Sequence, residues 1–248
     1  TTITAGNSID PFAATLPTSM PFLPHLYSDT GYIGGEPGPT SGSMLYGRYP
    51  GPEESTKSWR IAHRGMEWIY RNEDPRPFFL RLSLDDPHNP LCPPEPYFSM
   101  YDPADIPDDI FADAAASLAN KPRAVREFFH VLGCDTISEH DHRRHVAAYL
   151  GLVSHLDAQF GRFLDYFEQS EFADNTLILF NSDHGHYIGE HGYVYKGVGL
   201  HEGVSRVPLV FSRPGRLPEG VTTEAITDGT DLMPTLMELV GIPLPEDL

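Results

Sequence analysis

Apolar residues recur at helical spacing in two stretches of the chain. Over residues 54–71 and 140–169 they lie three or four positions apart, which is the period of an amphipathic helix. A further helix is predicted over residues 232–240, because Pro234 stands in its first turn and Gly241 just past its end. The longest of the three places its apolar side chains on one stripe: Val146, Tyr149, Leu150, Val153, Leu156, Phe160, Phe163, Leu164 and Phe167.

Three short apolar runs have the length of strands. They cover residues 78–84, 176–180 and 207–211. The run at 176–180 is almost continuously apolar, which is typical of a strand in a parallel sheet covered on both faces. Because helices and strands alternate along the chain, the pattern predicts an α/β layered fold.

The first part of the chain lacks both periods. Residues 1–52 hold eight prolines and eight glycines and are predicted to be an irregular segment, followed by the folded unit over residues 53–248. A structureless stretch of this length is unusual inside a compact domain. We therefore expect the sequence to begin within a longer protein.

Composition narrows the choice of partners. The 248 residues include 17 Lys+Arg and 35 Asp+Glu, so the formal net charge is −18. Such a chain repels nucleic acid and anionic membrane surfaces, and neither is expected as a partner. No apolar run is long enough to predict a transmembrane helix. No signal peptide is visible, and the two cysteines do not fix the redox compartment, so localisation stays open.

The end of the strand at 176–180 carries the first candidate chemistry. Asp183 and His184 follow it directly, and ligands of open α/β sheets bind at the carboxyl ends of strands. Gly185 gives the chain the freedom to turn both side chains toward one site. A carboxylate beside an imidazole forms half of a divalent metal site, since a hard cation takes roughly six ligands. A helix cap or a surface turn is the alternative interpretation.

Lysine and histidine residues in loops are the other candidates. Lys196 is one of only three lysines and lies in a glycine-rich loop, where its ammonium group suits an oxyanion. His88 lies between prolines in the loop after residues 78–84, and His191 and His201 follow Asp183. Each of them could equally be a solvated loop residue.

Taken together, these segments resemble the sulfatase family of the alkaline phosphatase-like superfamily, nearest to iduronate-2-sulfatases and choline-sulfatases. Order and spacing agree over about residues 55–244. The segments that carry the resemblance are FFLRLSLDDPHNP, YLGLVSHLDAQFGRFLDYFEQSEFADNTLILFNSDHG, SDHG-x5-HG-x3-K-x9-RVPLV and TDGTDLMPTLMELVGI.

The resemblance implies a role for each candidate. Asp183 and His184 would complete a divalent metal site, although many sulfatases carry Asn in place of the histidine. Lys196 and His88 would be catalytic, since they would bind the sulfate and assist the leaving group, and His201 would join them in binding substrate. The implied metal is calcium, with magnesium or manganese as alternatives. The implied substrate is a sulfate ester of a small molecule or a saccharide.

One part of the family pattern is missing. Sulfatases carry a C/S-x-P-x-R signature, whose Cys or Ser becomes formylglycine, and two adjacent aspartates after the first strand. Cys92 begins a similar segment, but Pro96 stands in place of the arginine, and the segment follows the His88 loop instead of preceding it. The pairs Asp85–Asp86 and Asp108–Asp109 lie in later loops and are interpreted as solvated turns. His140, His142 and His145 are likewise interpreted as solvated, because their spacing does not place them on one helix face.

The resemblance therefore implies an alkaline phosphatase-like α/β/α sandwich that is incomplete at its N-terminus. No nucleophile is expected in this chain, and the chain alone is expected to be inactive. Two alternatives remain open: a phosphonate monoester or phosphodiester hydrolase of the same superfamily, and a non-catalytic fragment or binding module.

Overall fold

The computed structural model describes residues 2–3, 28–32, 45–107, 118–197 and 199–245. Its helices are α1 (Lys57–Arg71), α2 (Arg123–Val131), α3 (Glu139–Phe167), α4 (Glu202–Ser205) and α5 (Leu232–Val240). Its strands are β1 (Thr2–Ile3), β2 (Ser28–Tyr32), β3 (Leu45–Arg48), β4 (Arg81–Leu82), β5 (Ile178–Asn181), β6 (Tyr187–Ile188), β7 (Val194–Tyr195) and β8 (Leu209–Ser212). Helices and strands alternate, which confirms the predicted α/β class.

The two long predicted helices form and pack against each other. Thr56 caps α1 by accepting a hydrogen bond from the Trp59 amide, and Ser138 caps α3 by accepting one from the Asp141 amide. The apolar stripes of the two helices then meet in one core, where Ala62 and Ile69 of α1 lie with Phe163 and Phe167 of α3. The predicted last helix is also confirmed as α5, and Gly241 ends it with a left-handed φ of 75°. Sequence periodicity did not reveal α2.

The described strands form two-stranded sheets. β1 pairs with β4 in parallel, while β2–β3, β5–β8 and β6–β7 pair antiparallel. The prediction that residues 176–180 lie in a parallel sheet is wrong for the described residues, because β5 pairs there only with the antiparallel β8 and none of its four residues is fully buried. β4 is also shorter than its predicted run, since only two of its residues have a strand partner.

The glycine- and proline-rich first segment is not wholly irregular. β1, β2 and β3 all lie within residues 1–52, and Tyr46 of β3 is fully buried in a second core with Leu91, Leu152 and Tyr187. The division into a segment over residues 1–52 and a folded unit over residues 53–248 stays a prediction, although these three strands lie within the first part. Besides its pairing with β2, β3 donates the Gly47 amide to the carbonyl of Leu91, and Tyr49 just after it donates to the carbonyl of Pro93, so this strand lies against the loop that follows His88.

Several residues predicted to be solvated are buried. His145 is completely buried and His142 is nearly so. The Asp86 carboxylate accepts a hydrogen bond from Ser58 Oγ, whereas Asp85 is exposed and pairs with Lys57. The pair Asp108–Asp109 lies outside the described residues.

Two further findings concern the described part of the chain. None of its helices is long and apolar enough to cross a membrane. Cys92 and Cys134 are both buried and both free, so they do not pair with each other. Burial raises the pKa of both thiols, that of Cys134 to about 11, and keeps them in the unreactive protonated form.

Candidate active site

A tight turn directly after β5 contains the candidate metal ligands, Asp183 and His184. Ser182 donates a hydrogen bond to the carbonyl of His184, and Asp183 Oδ1 accepts one from the His184 amide, at 2.9 and 3.0 Å. Gly185 follows with its amide 2.7 Å from the carbonyl of Val204. A Cβ on Gly185 would lie 2.1 Å from the carbonyl oxygen of Gly203, so only glycine allows this approach. The glycine is required for close packing and not for an unusual φ.

The β6–β7 hairpin returns Lys196 to the same place. Its register pairs Tyr187 with Tyr195, so the next residue along β7 comes back beside the loop that precedes β6. Lys196 Nζ lies 3.0 Å from His184 Nε2. Residues separated by a 3-10 turn and two short strands thus meet at the end of β5.

Hydrogen bonding fixes which nitrogen of His184 carries a proton. His184 Nδ1 lies 2.9 Å from the carbonyl oxygen of Gly185, which can only accept, so Nδ1 is the donor. The lone pair of the neutral ring is then on Nε2, where it accepts from Lys196. Asp183 Oδ2 lies 3.7 Å from the same Nε2. A carboxylate oxygen and an imidazole lone pair are thus close enough to bind one cation together.

His88 comes to this cleft from the loop after β4. Its Nδ1 lies 2.7 Å from the carbonyl of Asn89, so Nδ1 is again the donor and Nε2 is the nitrogen that can exchange a proton. The His88 ring meets the Tyr195 ring edge-on, with centroids 5.9 Å apart. Lys196 Nζ lies 5.4 Å from the centre of the same tyrosine ring. Tyr195 therefore connects the two residues that the sequence indicated.

His186 is a cleft residue that sequence reasoning missed. Its ring stacks on Tyr149 and meets Tyr195 edge-on, and its Nε2 is buried without a hydrogen-bond partner among the described residues. Burial, followed by the neighbouring groups His88, Lys196 and His184, lowers the pKa of His186 to about 3. His186 is therefore neutral at physiological pH. The sequence signal that could have identified His186 is its position two residues after His184, close to the end of β5.

The candidate residues open onto one large cleft. His88, Asp183, His184, His186 and Lys196 all line a cavity of about 2410 Å³. Ligand pockets are typically ~300–1,000 Å³, so the polar cluster occupies only part of this space. The remaining wall is largely apolar and includes Phe78, Leu80, Leu82, Phe160, Phe163, Ile178 and Phe180.

His201 lies apart from that cluster. Its Nδ1 is 2.8 Å from the Tyr187 hydroxyl, its Nε2 is 3.1 Å from Lys121 Nζ, and its ring stacks on His191. None of these four residues is among the lining residues of the cleft. The structure thus unites four of the six residues singled out by sequence and separates His191 and His201 from them.

The described part of the site holds fewer ligands than a divalent cation needs. No group of three or more His, Cys, Asp or Glu side chains in the described ranges is arranged to hold a metal ion. Asp183 and His184 would supply two ligands to a divalent ion only once Lys196 Nζ leaves the Nε2 lone pair that it now occupies, since Asp183 Oδ2 lies 3.7 Å from that nitrogen. The other ligands would have to come from elsewhere.

Comparison with known proteins shows which family the chain belongs to. The chain matches the family model described as Sulfatase over residues 20–242. An arylsulfatase of Clostridium perfringens is 34% identical over 191 residues, which is 76% of this chain and 39% of that protein. A choline-sulfatase of Rhizobium meliloti is 33% identical over 195 residues, covering 75% of this chain and 36% of that protein.

Solved structures give the same result for the fold. A phosphonate monoester hydrolase of Agrobacterium radiobacter is similar with a TM-score of 0.70 at 29% identity, covering 80% of this chain and 41% of that one. The chain thus spans about two fifths of the length of the proteins it matches. Its fold is of the alkaline phosphatase-like α/β type, and the chain belongs to the sulfatase family.

Proposed function

We propose that this chain carries one part of a site that hydrolyses sulfate esters. The observation that carries the proposal is the convergence of Asp183, His184, Lys196 and His88 on one cleft at the end of β5. A cation, an ammonium group and a histidine around one tetrahedral anion would stabilise the charge that develops as the ester bond breaks. The arylsulfatase and choline-sulfatase relatives favour this substrate class.

Each residue has a part in the proposed reaction. Asp183 and His184 hold a divalent ion, with calcium preferred and magnesium or manganese as alternatives; when bound, the ion polarises the ester oxygens. Lys196 Nζ, now 3.0 Å from His184, binds a sulfate oxygen. In its doubly protonated form, His88 donates the Nε2 proton to the leaving-group oxygen and keeps the Nδ1 proton, whose bond to the Asn89 carbonyl orients the ring. His201 would contact a more distant part of the substrate.

The nucleophile is proposed to lie in polypeptide outside this chain. Both thiols of the chain are buried and protonated, and the cleft greatly exceeds the space that a sulfate ester needs. The missing part would supply the formylglycine residue, the other metal ligands and the strands that line the open side of β5. The proposed substrate is a sulfate ester of a small molecule or a saccharide.

Hydrolysis of 4-nitrophenyl sulfate tests this function. The assay compares the 248-residue chain with a version extended upstream to include a C/S-x-P-x-R segment, each with calcium and with manganese. Turnover only in the extended protein, abolished by Asp183→Ala, is the expected result. Turnover by the short chain would contradict the absent nucleophile, and no turnover in either would contradict the sulfatase proposal.

A phosphonate monoester or phosphodiester hydrolase is the second candidate. The similarity to the Agrobacterium radiobacter phosphonate monoester hydrolase favours it. The same groups would bind a phosphoryl oxygen as readily as a sulfuryl oxygen, since both substrates present a tetrahedral anion. Parallel assays with an aryl sulfate and an aryl phosphodiester separate the two by their ratio of kcat/KM.

A further inference from the structure

Tyr195 holds a backbone conformation that aromatic residues rarely adopt. It is the last residue of β7, and its φ is 77°, in the left-handed region. Apart from glycines, His191 is the other residue in the described part of the chain with a positive φ. A bulky side chain is an outlier in this region, and such a conformation persists only where its surroundings hold it in place. The contacts of Tyr195 should therefore include groups whose placement depends on it.

The left-handed φ changes where Lys196 points. Side chains alternate between the two faces of a regular strand, so Lys196 would otherwise lie on the face opposite Tyr195. Instead, Lys196 Nζ lies 5.4 Å from the centre of the Tyr195 ring. That distance is within the ~6 Å range of a cation–π contact, in which the ring face attracts a positive charge. The Tyr195 ring thus attracts the ammonium group of the residue that follows it.

The same ring contacts two histidines of the cleft. His88 meets it with centroids 5.9 Å apart and planes at 84°, and His186 meets it with centroids 5.8 Å apart and planes at 89°. Such edge-to-face contacts are a preferred geometry of aromatic rings. His88, His186 and Lys196 line the cleft, whereas Tyr195 is not among its lining residues. The tyrosine therefore lies behind the cleft wall and contacts three of the side chains that form it.

Taking these contacts together, we infer that Tyr195 is a positioning residue, whose ring sets the places of Lys196 and His88 relative to each other. The inference rests on the proposed function, in which Lys196 binds a sulfate oxygen and His88 protonates the leaving group. Tyr195 acts only through these two side chains. Because one ring contacts both, it fixes the distance between the group that binds the oxyanion and the group that donates the proton. A displacement of about an ångström in such an arrangement can cost ~100-fold in rate.

Three substitutions separate the ring from the backbone and from the hydroxyl. Tyr195→Asn and Tyr195→Gly remove the ring, and both new residues tolerate a left-handed φ, so the end of β7 can keep its path. Tyr195→Phe keeps the ring and loses only the hydroxyl. Tyr70→Asn is the matched control, because it removes an exposed tyrosine ring of α1 that does not line the cleft.

The first readout is the reactivity of Lys196 toward an acetylating reagent in the 248-residue chain. The chain has three lysines, so mass spectrometry compares Lys196 with Lys57 and Lys121 in the same sample. We expect Tyr195→Asn and Tyr195→Gly to raise the labelling of Lys196 about two- to fivefold, the factor that an ordinary cation–π contact contributes. We expect Tyr195→Phe and Tyr70→Asn to match the parent.

Urea unfolding of each variant shows whether the labelled protein is folded. Parental labelling of Lys196 in a folded Tyr195→Asn or Tyr195→Gly protein would overturn the inference. The same conclusion would follow if Tyr195→Phe were labelled like Tyr195→Asn, since the hydroxyl and not the ring would then matter. Unfolding of both variants that lack the ring would also contradict the inference, because Tyr195 would then be required for the fold itself.

The second readout is the dependence of kcat on the leaving group in the upstream-extended protein. Phenolate is a stronger base than 4-nitrophenolate, so phenyl sulfate depends more on the proton from His88. We expect Tyr195→Asn to lower kcat about 100-fold for phenyl sulfate and about tenfold for 4-nitrophenyl sulfate, with Tyr195→Phe near the parent for both. A merely structural role would lower both values by the same factor, and that result would show the positioning role to be wrong. If Lys196 labelling changes as expected while the extended parent hydrolyses no sulfate ester, the proposed function fails and the positioning of Lys196 stands.

Discussion

Lys196 places a rare positive charge at the centre of the cleft. It is one of three lysines in a chain of net charge −18, and its Nζ contacts the His184 lone pair at 3.0 Å. The lysine could be singled out from sequence because of its rarity and its glycine-rich surroundings. Its contact with His184 could not, because that contact depends on the β6–β7 register and on the left-handed φ of 77° at Tyr195.

Removing this charge should affect catalysis strongly. In the upstream-extended protein, Lys196→Met is expected to lower kcat/KM for 4-nitrophenyl sulfate about 100- to 1,000-fold, the typical cost of losing one preorganised oxyanion donor. Arg123→Ala serves as the control, since this exposed cation pairs with Glu127 on the surface of α2 and does not line the cleft. A Lys196→Met protein with parental kcat/KM would remove Lys196 from the proposed mechanism.

The second candidate ligand, His184, gives a separate test of the metal proposal. His184→Ala deletes the lone pair that faces Asp183, and is expected to weaken divalent-ion binding by at least about 10- to 100-fold. His184→Asn keeps an oxygen donor there and is expected to retain much of that affinity. Calorimetric titration of the upstream-extended protein with manganese and calcium measures both. Identical affinities in the parent and His184→Ala would show that His184 is not a ligand.

At the scale of elements, α3 carries buried histidines that make stability depend on pH. His145 lies on this helix, fully buried, and neither ring nitrogen has a hydrogen-bond partner among the described residues. Burial lowers its pKa well below the ordinary value, helped by the charges of His186 and His142. The folded chain therefore binds fewer protons at this residue than the unfolded chain, and its stability falls as pH drops below the unfolded-state pKa.

The slope of that dependence is testable. Between pH ~6.5 and 5.0 the buried ring should cost up to about 2 kcal/mol of unfolding free energy, from ~1.4 kcal/mol per pH unit. His145→Leu should flatten this part of the profile, while His140→Leu, at an exposed position of α3, should leave it unchanged. Urea unfolding at several pH values provides the measurement. An unaltered slope in His145→Leu would mean that His145 is protonated in the folded chain.

Helices whose apolar residues recur at helical spacing could be predicted from the sequence. Strand pairing and contacts between distant segments could not. α1, α3 and α5 are confirmed because capping residues and apolar spacing are local properties. The orientation of β5 depends on which strand lies beside it, and its described partner is the antiparallel β8. The burial of His145 and the hydrogen bond between Ser58 and Asp86 arise only when distant segments pack together, which is why His145 and Asp86 were interpreted as solvated.

At the scale of the molecule, the cleft exposes apolar side chains and one edge of a β-strand. Its apolar wall joins residues of α3, β4 and β5, and β5 has a described partner along only one edge. Several large apolar side chains elsewhere are more than half exposed, among them Val210 of β8 and Tyr70 of α1. Open strand edges and apolar patches of this kind promote association. The high net negative charge opposes association but does not cover the surface.

Supplying the proposed upstream segment should therefore change the behaviour of the whole chain. The 248-residue chain alone is expected to bind a hydrophobic dye, to self-associate and to exchange the amides of Ile178–Asn181 quickly. Extension upstream through the C/S-x-P-x-R segment is expected to suppress dye binding and to protect those amides, because new strands would pair with the open edge of β5. Hydrogen exchange with mass spectrometry compares the two forms, and the amides inside α1 act as the internal reference, since their hydrogen bonds do not involve the cleft. A short chain that is monomeric, unfolds cooperatively and already protects Ile178–Asn181 would show that the cleft needs no further polypeptide, and the nucleophile would then have to be sought within these 248 residues.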